Sequence, residues 1–229
     1  MRAMLLAAGR GERMRPLTDT CPKPLLHAGG RALIEWQLRA LARAGIVDVV
    51  VNHAHLGAQI ERALGDGTRW NLRIRYSAEG EALETAGGIA RALPMLGDGP
   101  FVVAASDVFT DFDYSRTHAI ARRMLDDDLL AWCVLVPNPP HHPRGDFALH
   151  GGRLLEDGEP RSTFSGIGVY RAALFDGADR AGKAPLAPLL RAAAAAGRAG
   201  GERYDGRWID VGTPQRLAAL DAQLRSDGP

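Results

Sequence analysis

Apolar runs of strand length, alternating with stretches of helical period, constrain this chain more than any other feature. Residues 3–8 and 101–105 are continuous apolar runs, 47–51 is β-branched apart from Asp48, 72–76 alternates apolar and polar, and 130–136 is apolar again. Continuous runs of that length suit strands covered on both faces. Between them, 32–44, 56–64, 86–96 and 116–125 repeat apolar residues at helical spacing, and Gly45 supplies a stop after the first. Strand and helix in alternation build a parallel sheet with helices packed on it. The expected fold class is therefore α/β, a Rossmann-like open and mostly parallel sheet.

The rhythm breaks at Pro137, Pro139, Pro140 and Pro143. Beyond them, 147–149, 153–155 and 163–170 read as short strands joined by glycine turns. They predict a small antiparallel insertion near the sheet edge that could wall a substrate pocket. The alanine-rich stretch 186–196 could be a flexible linker by composition, but Leu186, Leu189 and Leu190 favour a helix. Residues 204–211 give a final strand carrying Asp210, and Pro214 opens a closing helix to Leu224. With 229 residues, 46% of them hydrophobic, the chain can bury one full core, so a single domain over 1–229 is expected.

The 28 basic and 27 acidic residues are spread without a block, and the formal net charge is +1. Nothing in that balance argues for nucleic acid or a membrane surface as partner, and any anion must be bound locally. No run approaches the ~20 apolar residues of a membrane span. Gly9 and Arg10 interrupt the apolar start, against a secretion signal. Cys21 and Cys133 form no paired motif, which points to a reducing, cytoplasmic setting. His53, His55, His141 and His142 lack acid or cysteine partners at ligand spacing and read as exposed loop histidines.

The exit of the first strand gathers small residues and cations. It runs Leu6, Ala7, Ala8, Gly9, Arg10, Gly11, Glu12, Arg13, Met14, Arg15, Pro16, and Lys23 follows between Pro22 and Pro24. Glycines allow a tight turn whose backbone N–H groups face a phosphate, and Arg13, Arg15 and Lys23 could neutralise a triphosphate. Alone, such a turn is weak evidence, and this one matches neither the P-loop nor the dinucleotide fingerprint. The longer string L-A-A-G-x-G-x-R-M-x-P-L-T followed by P-K-P-L, however, resembles the signature of sugar 1-phosphate nucleotidyltransferases. The likeness continues through Leu33, Ile34 and Glu35, through Glu84, Thr85, Ala86, Gly87 and Gly88, and to Asp107. Gly145, Asp146 and Phe147, then Phe164, Ser165 and Gly166, and finally Trp208, Ile209, Asp210, Val211, Gly212 and Thr213 resemble the short N-acetylmuramate 1-phosphate uridylyltransferases. Those enzymes serve the recycling of peptidoglycan sugars.

The resemblance implies a nucleotide-diphospho-sugar transferase fold of GT-A type, with a nucleotide-binding half over 1–136 and a sugar-binding half with the closing helix over 137–229. The implied reaction moves a nucleoside monophosphate from a nucleoside triphosphate, UTP in the muramate enzymes, to a sugar 1-phosphate, and releases pyrophosphate. The open-sheet rule puts ligands at the carboxyl ends of strands, so Asp107 and Asp210 could reach one metal ion. Hard oxygen donors suit Mg²⁺, and the resemblance gives these two acids that role. Arg13 and Lys23 would join them as the catalytic set, screening charge in the transition state. Nucleotide binding falls to Ala7, Ala8, Gly9, Gly11, Glu12, Arg13, Lys23, Glu79 and Gly80, and sugar binding to Asp146, Ser165 and Gly166.

Each residue also has a plainer reading. A lone aspartate is most often a cap or turn residue, Glu79 could be a solvent-facing loop acid, and Ser165 could belong to a core strand. One departure stands out: the chain has Ala105, Ser106, Asp107 where the uridylyltransferases usually read N-G-D, so an asparagine amide is missing and the Ser106 hydroxyl is the available substitute. Competing readings keep the reaction but change the substrates, to mannose 1-phosphate with GTP or glucose 1-phosphate with a uridine or thymidine nucleotide. Another is a non-catalytic nucleotide or sugar sensor. The G-D-F string, and a short carboxyl end with no left-handed β-helix repeat, favour the muramate type.

Overall fold

The computed structural model describes residues 1–227. Strand β1 (Arg2–Leu6) leads through a 3₁₀ turn at Glu12–Met14, helix α1 (Leu17–Thr20) and a 3₁₀ turn at Lys23–Leu25 into the hairpin β2 (His27–Ala28) and β3 (Arg31–Ala32). Helix α2 (Leu33–Arg43), β4 (Asp48–His53), α3 (Gly57–Leu64), β5 (Arg73–Ala78), α4 (Glu84–Leu96) and β6 (Phe101–Ala105) complete the alternating part. Then come β7 (Val108–Thr110), α5 (Arg116–Asp126), β8 (Ala131–Val136), β9 (Phe147–His150), β10 (Arg153–Leu155) and β11 (Arg161–Tyr170). Helix α6 (Leu186–Ala195), β12 (Ala199–Arg203), β13 (Trp208–Asp210) and α7 (Pro214–Ser226) close the chain.

One sheet runs in the order β5-β4-β1-β6-β11-β8-β12-β10-β9. Its β5-β4-β1-β6 portion is parallel, as the alternation of strand and helix requires. Ala3, Met4 and Leu5 of β1 are fully buried because helices cover both faces of the sheet. On one face Ile34, Leu38 and Leu41 of α2 pack with Ile60 of α3 and Ile120 and Met124 of α5. On the other, Ile89 and Leu96 of α4 pack with Leu186 and Leu190 of α6. The edge strand β5 alternates at its start, burying Ile74 between exposed Arg73 and Arg75.

The second half departs from expectation in two places. Strand β11 pairs with the edge strand β9 only at its start, at Arg161 and Ser162. It enters the middle of the sheet, antiparallel to both β6 and β8, and only β9 and β10 form the antiparallel edge. The expected final strand over 204–211 shrinks to β13, which leaves the main sheet and pairs antiparallel with β7. The sheet strand in that region is β12, parallel to β8. Its Gly200 and Gly201 gave no strand signal, since glycine has low β-propensity. Close packing explains them: a Cβ at Gly200 would lie 2.6 Å from the Trp132 ring. Residues 186–195 are helical, as the leucines suggested, and Pro214 sits in the first turn of α7 with Thr213 accepting from the Arg216 N–H at 3.3 Å.

A third apolar cluster positions the site. Met14 of the glycine loop, Leu26, Leu33, Phe109 of β7, Val211 and Leu220 of α7 pack together, with Met14 and Val211 fully buried. It joins the start of the chain to its end.

Candidate active site

Gly11 adopts the left-handed region at φ 69° as the loop turns into Glu12–Met14. Only glycine takes that conformation without steric cost, and a Cβ there would lie 3.0 Å from Thr18 Cγ2. Thr18 in turn donates from Oγ1 to the Gly11 carbonyl at 2.9 Å. The three arginines of the loop then divide. Arg10 donates to the Thr18 carbonyl at 2.6 Å and to Asp19 at 2.8 Å. Arg15 does not join the site as expected: its guanidinium is exposed and pairs with Asp19 at 2.8 Å and Glu12 at 3.5 Å. These two arginines hold the Asp19 carboxyl below its usual range by hydrogen bonding. Arg13 alone of the three lines a cavity of about 270 Å³, with Gly9, Gly11, Glu12, Lys23, Asp107 and Gly212.

Lys23 forms an ion pair with Asp107 in that cavity. Asp107 follows β6, and Asp210 ends β13. The ribbon of β7 and β13 places Asp210 opposite Val108, and the Val211 N–H donates to the Asp107 carbonyl at 3.0 Å. The structure brings both acids to one cavity wall, with Asp210 arriving on the ribbon and not at the end of a main-sheet strand. Both acids and Arg13 wall a second cavity, of about 470 Å³, together with Asp146, Ser165 and Gly166. Each acid already has a cation: Lys23 for Asp107, and the Arg216 guanidinium at 2.5 Å for Asp210. His141 Nε2 lies 3.3 Å from Asp210 and 3.0 Å from Arg216. The two carboxylates that wall this cavity are hard oxygen donors, the kind a divalent cation takes.

The remaining expected residues fall into two groups. Asp146 faces the cavity and is held by the Phe164 N–H at 2.8 Å and by His142 Nε2 at 3.0 Å. Gly166 sits at the irregularity in β11 between Phe164 and Gly168, where it lines both this cavity and a neighbouring apolar one of about 510 Å³. Ser165 lines the wall but is buried, its Oγ accepting from the Ile167 N–H at 3.1 Å. Ala7 and Glu79 are tied inward by a residue the sequence reading missed. Asn52 accepts from the Ala7 N–H at 2.8 Å and donates to Glu79 Oε1 at 2.6 Å, while Glu79 Oε2 accepts from the Leu83 N–H at 2.9 Å. Gly80 lies beside them with open space where a Cβ would be. Ala8 is buried at the end of the strand exit.

Two expectations need correction. The Ser106 hydroxyl does not reach outward to replace an amide, because it donates to the Leu6 carbonyl at 2.5 Å and stitches β6 to β1. The four histidines are not idle loop residues. His53 is buried beside Glu61 at 2.7 Å, His55 bonds the Thr18 carbonyl at 2.9 Å, and His141 and His142 meet the two site acids Asp210 and Asp146. Spacing in sequence could not reveal acids that arrive from other elements. Gln37 was missed too: it donates to the Val108 carbonyl at 2.6 Å and so anchors β7.

An open α/β sheet with a glycine-rich strand exit, two convergent carboxylates and two cations beside one cleft defines a nucleotide-dependent transferase of the phosphate-handling kind. Residues 2–145 match the nucleotidyl transferase family model, and the chain belongs to that family. It is 50% identical over 97% of both chains to an N-acetylmuramate alpha-1-phosphate uridylyltransferase of Neisseria meningitidis. It is 35% identical, over 97% of this chain and 96% of the other, to one of Caulobacter vibrioides. In fold it matches a crystal structure of a putative glucose-1-phosphate thymidylyltransferase from Bacillus anthracis in complex with a sucrose, with a TM-score of 0.84 at 20% identity over 98% and 95% of the two chains.

Proposed function

We propose that this protein transfers a uridylyl group from UTP to N-acetylmuramate 1-phosphate, giving UDP-N-acetylmuramate and pyrophosphate. The observation that carries the choice of substrates is the end-to-end 50% identity to a relative of that name. The geometry supports the chemistry. A triphosphate laid along Gly9 to Arg13 meets backbone N–H groups, Arg13 and Lys23, and the sugar 1-phosphate reaches it from the cavity of Asp146 and Gly166. An oxygen of the sugar phosphate attacks the α-phosphorus in line, the bond to the bridging oxygen breaks, and pyrophosphate leaves with the electron pair. The nucleophile is already an anion, so positioning and charge screening replace a general base.

Arg13 and Lys23 stabilise the charge that gathers on the α-phosphate and the leaving group. Asp107 and Asp210 would hold Mg²⁺, which when bound screens phosphate charge and orients the α-phosphate. In that arrangement the Lys23 ammonium would face phosphate oxygens as well as Asp107. Asn52 and Glu79 act as positioning residues that fix the base-facing end of β1. We further assign residues 1–136 mainly to the nucleotide and 137–229 mainly to the sugar, in one domain. We place the protein in the cytoplasm, where free Cys21 and Cys133 stay reduced.

The deciding experiment measures pyrophosphate release with Mg²⁺, for four nucleoside triphosphates against N-acetylmuramate, mannose and glucose 1-phosphates. Release with UTP and the muramate sugar is expected. Release only with another pair overturns the substrates and keeps the reaction, and silence with every pair overturns the reaction.

A further inference from the structure

Beside the sugar-facing cavity lies a separate polar one, of about 680 Å³, that the transfer step does not use. The two share His142 and Asp146, so they lie side by side. The polar cavity carries three guanidinium groups, from Arg144, Arg161 and Arg191. Arg191 pairs with Glu156 at 3.3 Å. Arg161 spends its donors on two backbone carbonyls, of Glu156 at 2.8 Å and Asp146 at 2.5 Å, so its charge has no carboxylate within ion-pair distance among the described residues. Arg144 is exposed and makes neither an ion pair nor a side-chain hydrogen bond among the described residues. Two acids also line this cavity: Asp146, held by the Phe164 N–H and His142, and Glu159, which accepts the Arg161 backbone N–H at 3.1 Å.

The mount of these arginines is fixed before any ligand arrives. Asn138 donates to the Pro143 carbonyl and to the Arg161 carbonyl, each at 3.1 Å, and accepts from Thr163 Oγ1 at 2.9 Å. One amide therefore ties the backbone just before Arg144 to the strand that carries Arg161. A walled cavity with unneutralised guanidinium charge and a preset backbone is suited to a carboxylate, which a guanidinium binds through two parallel hydrogen bonds. N-acetylmuramate is N-acetylglucosamine with a lactyl ether, and the ether ends in a carboxylate.

We propose that Arg144, with the charge of Arg161 behind it, is a carboxylate subsite through which the enzyme selects an acidic sugar 1-phosphate over the neutral parent sugar. This rests on the muramate reading above. Charge-assisted hydrogen bonds of this kind change affinity by about tenfold to a hundredfold. The test compares kcat/KM with UTP for N-acetylmuramate 1-phosphate and N-acetylglucosamine 1-phosphate, in the wild type, Arg144→Ala and Arg144→Lys. The preference for the acidic sugar is expected to fall at least tenfold in Arg144→Ala, through KM more than kcat, with partial recovery in Arg144→Lys. An unchanged ratio in Arg144→Ala, with activity retained, overturns the subsite. Calorimetric binding of the two sugar phosphates is run alongside. If UTP yields no pyrophosphate with either sugar the uridylyltransferase reading fails, yet a binding preference lost in Arg144→Ala still supports the subsite and a preference kept overturns it.

Discussion

The backbone carbonyl of Asp107 accepts the N–H of Val211 at 3.0 Å, and this bond joins two acids that stand more than a hundred residues apart in sequence. Val211 is fully buried, so Asp210 beside it has little freedom to leave the wall it shares with Asp107. Asp210→Asn should lower turnover at least a hundredfold, in the range seen when one charge-stabilising group is removed. Its Arg216 partner is partly exposed, so stability should change by less than about 1 kcal/mol. Steady-state pyrophosphate release and a metal titration check this: a normal rate at ordinary metal concentration would remove Asp210 from the metal's ligands.

Lys23 pairs with Asp107 and has the smaller side-chain exposure of the two, 12% against 30%. Lys23→Ala should lower kcat by about two orders of magnitude, with little change in melting temperature because the surrounding backbone is held by its own 3₁₀ turn. Near-normal turnover in a folded variant would assign Lys23 a purely structural ion pair.

Much of the fold was legible because apolar runs and helical periods coincide from β1 through α5, as local pattern and tertiary burial agree there. The glycines of β12 hid a strand, since their reason is the Trp132 ring and not any propensity. The string through Gly11, Arg13 and Lys23 exposed one wall of the site in advance. The opposite wall was hidden: Arg216, His141 and His142 acquire roles only when distant elements meet, and no local spacing records that. Gln37 and Asn52 did carry a signal. Each is polar within an otherwise apolar face or run, where burial demands a hydrogen-bond partner.

That demand can be tested at Asn52, which is 2% exposed and satisfies Ala7 and Glu79 together. Asn52→Ala leaves a buried N–H and a buried carboxylate oxygen each short of a partner. Unsatisfied groups of this kind cost about 1–3 kcal/mol each. Denaturant unfolding should show a loss in that range, with a raised KM for the nucleoside triphosphate. An unchanged midpoint would mean that water replaces the amide.

The two thiols should differ in reactivity. Burial pushes the Cys133 thiol well above its usual range and raises that of Cys21 less. The thiolate is the reactive form, so raised values mean slow reaction at neutral pH and faster reaction as pH rises. With a chromogenic thiol reagent at pH 8, the native protein should titrate near one equivalent, from half-exposed Cys21, and reach two in denaturant. Two fast equivalents in the native state would show that β8 opens readily.

Met14 carries the last prediction, because it is where the glycine-rich loop packs into the third apolar cluster. Its side chain is fully buried among Leu26, Leu33, Phe109, Val211 and Leu220. Arg13 precedes it and points to the cavity, so the packing of Met14 sets where that guanidinium stands. Met14→Ala should cost about 2–5 kcal/mol from lost burial and the cavity left behind. Met14→Leu keeps the volume and should cost less than about 1.5 kcal/mol. If the cluster orients Arg13, Met14→Ala also lowers kcat at temperatures where the variant is fully folded by circular dichroism, and Met14→Leu does not. Equal kcat in the two folded variants would confine Met14 to stability and leave the placement of Arg13 to the turn at Gly11.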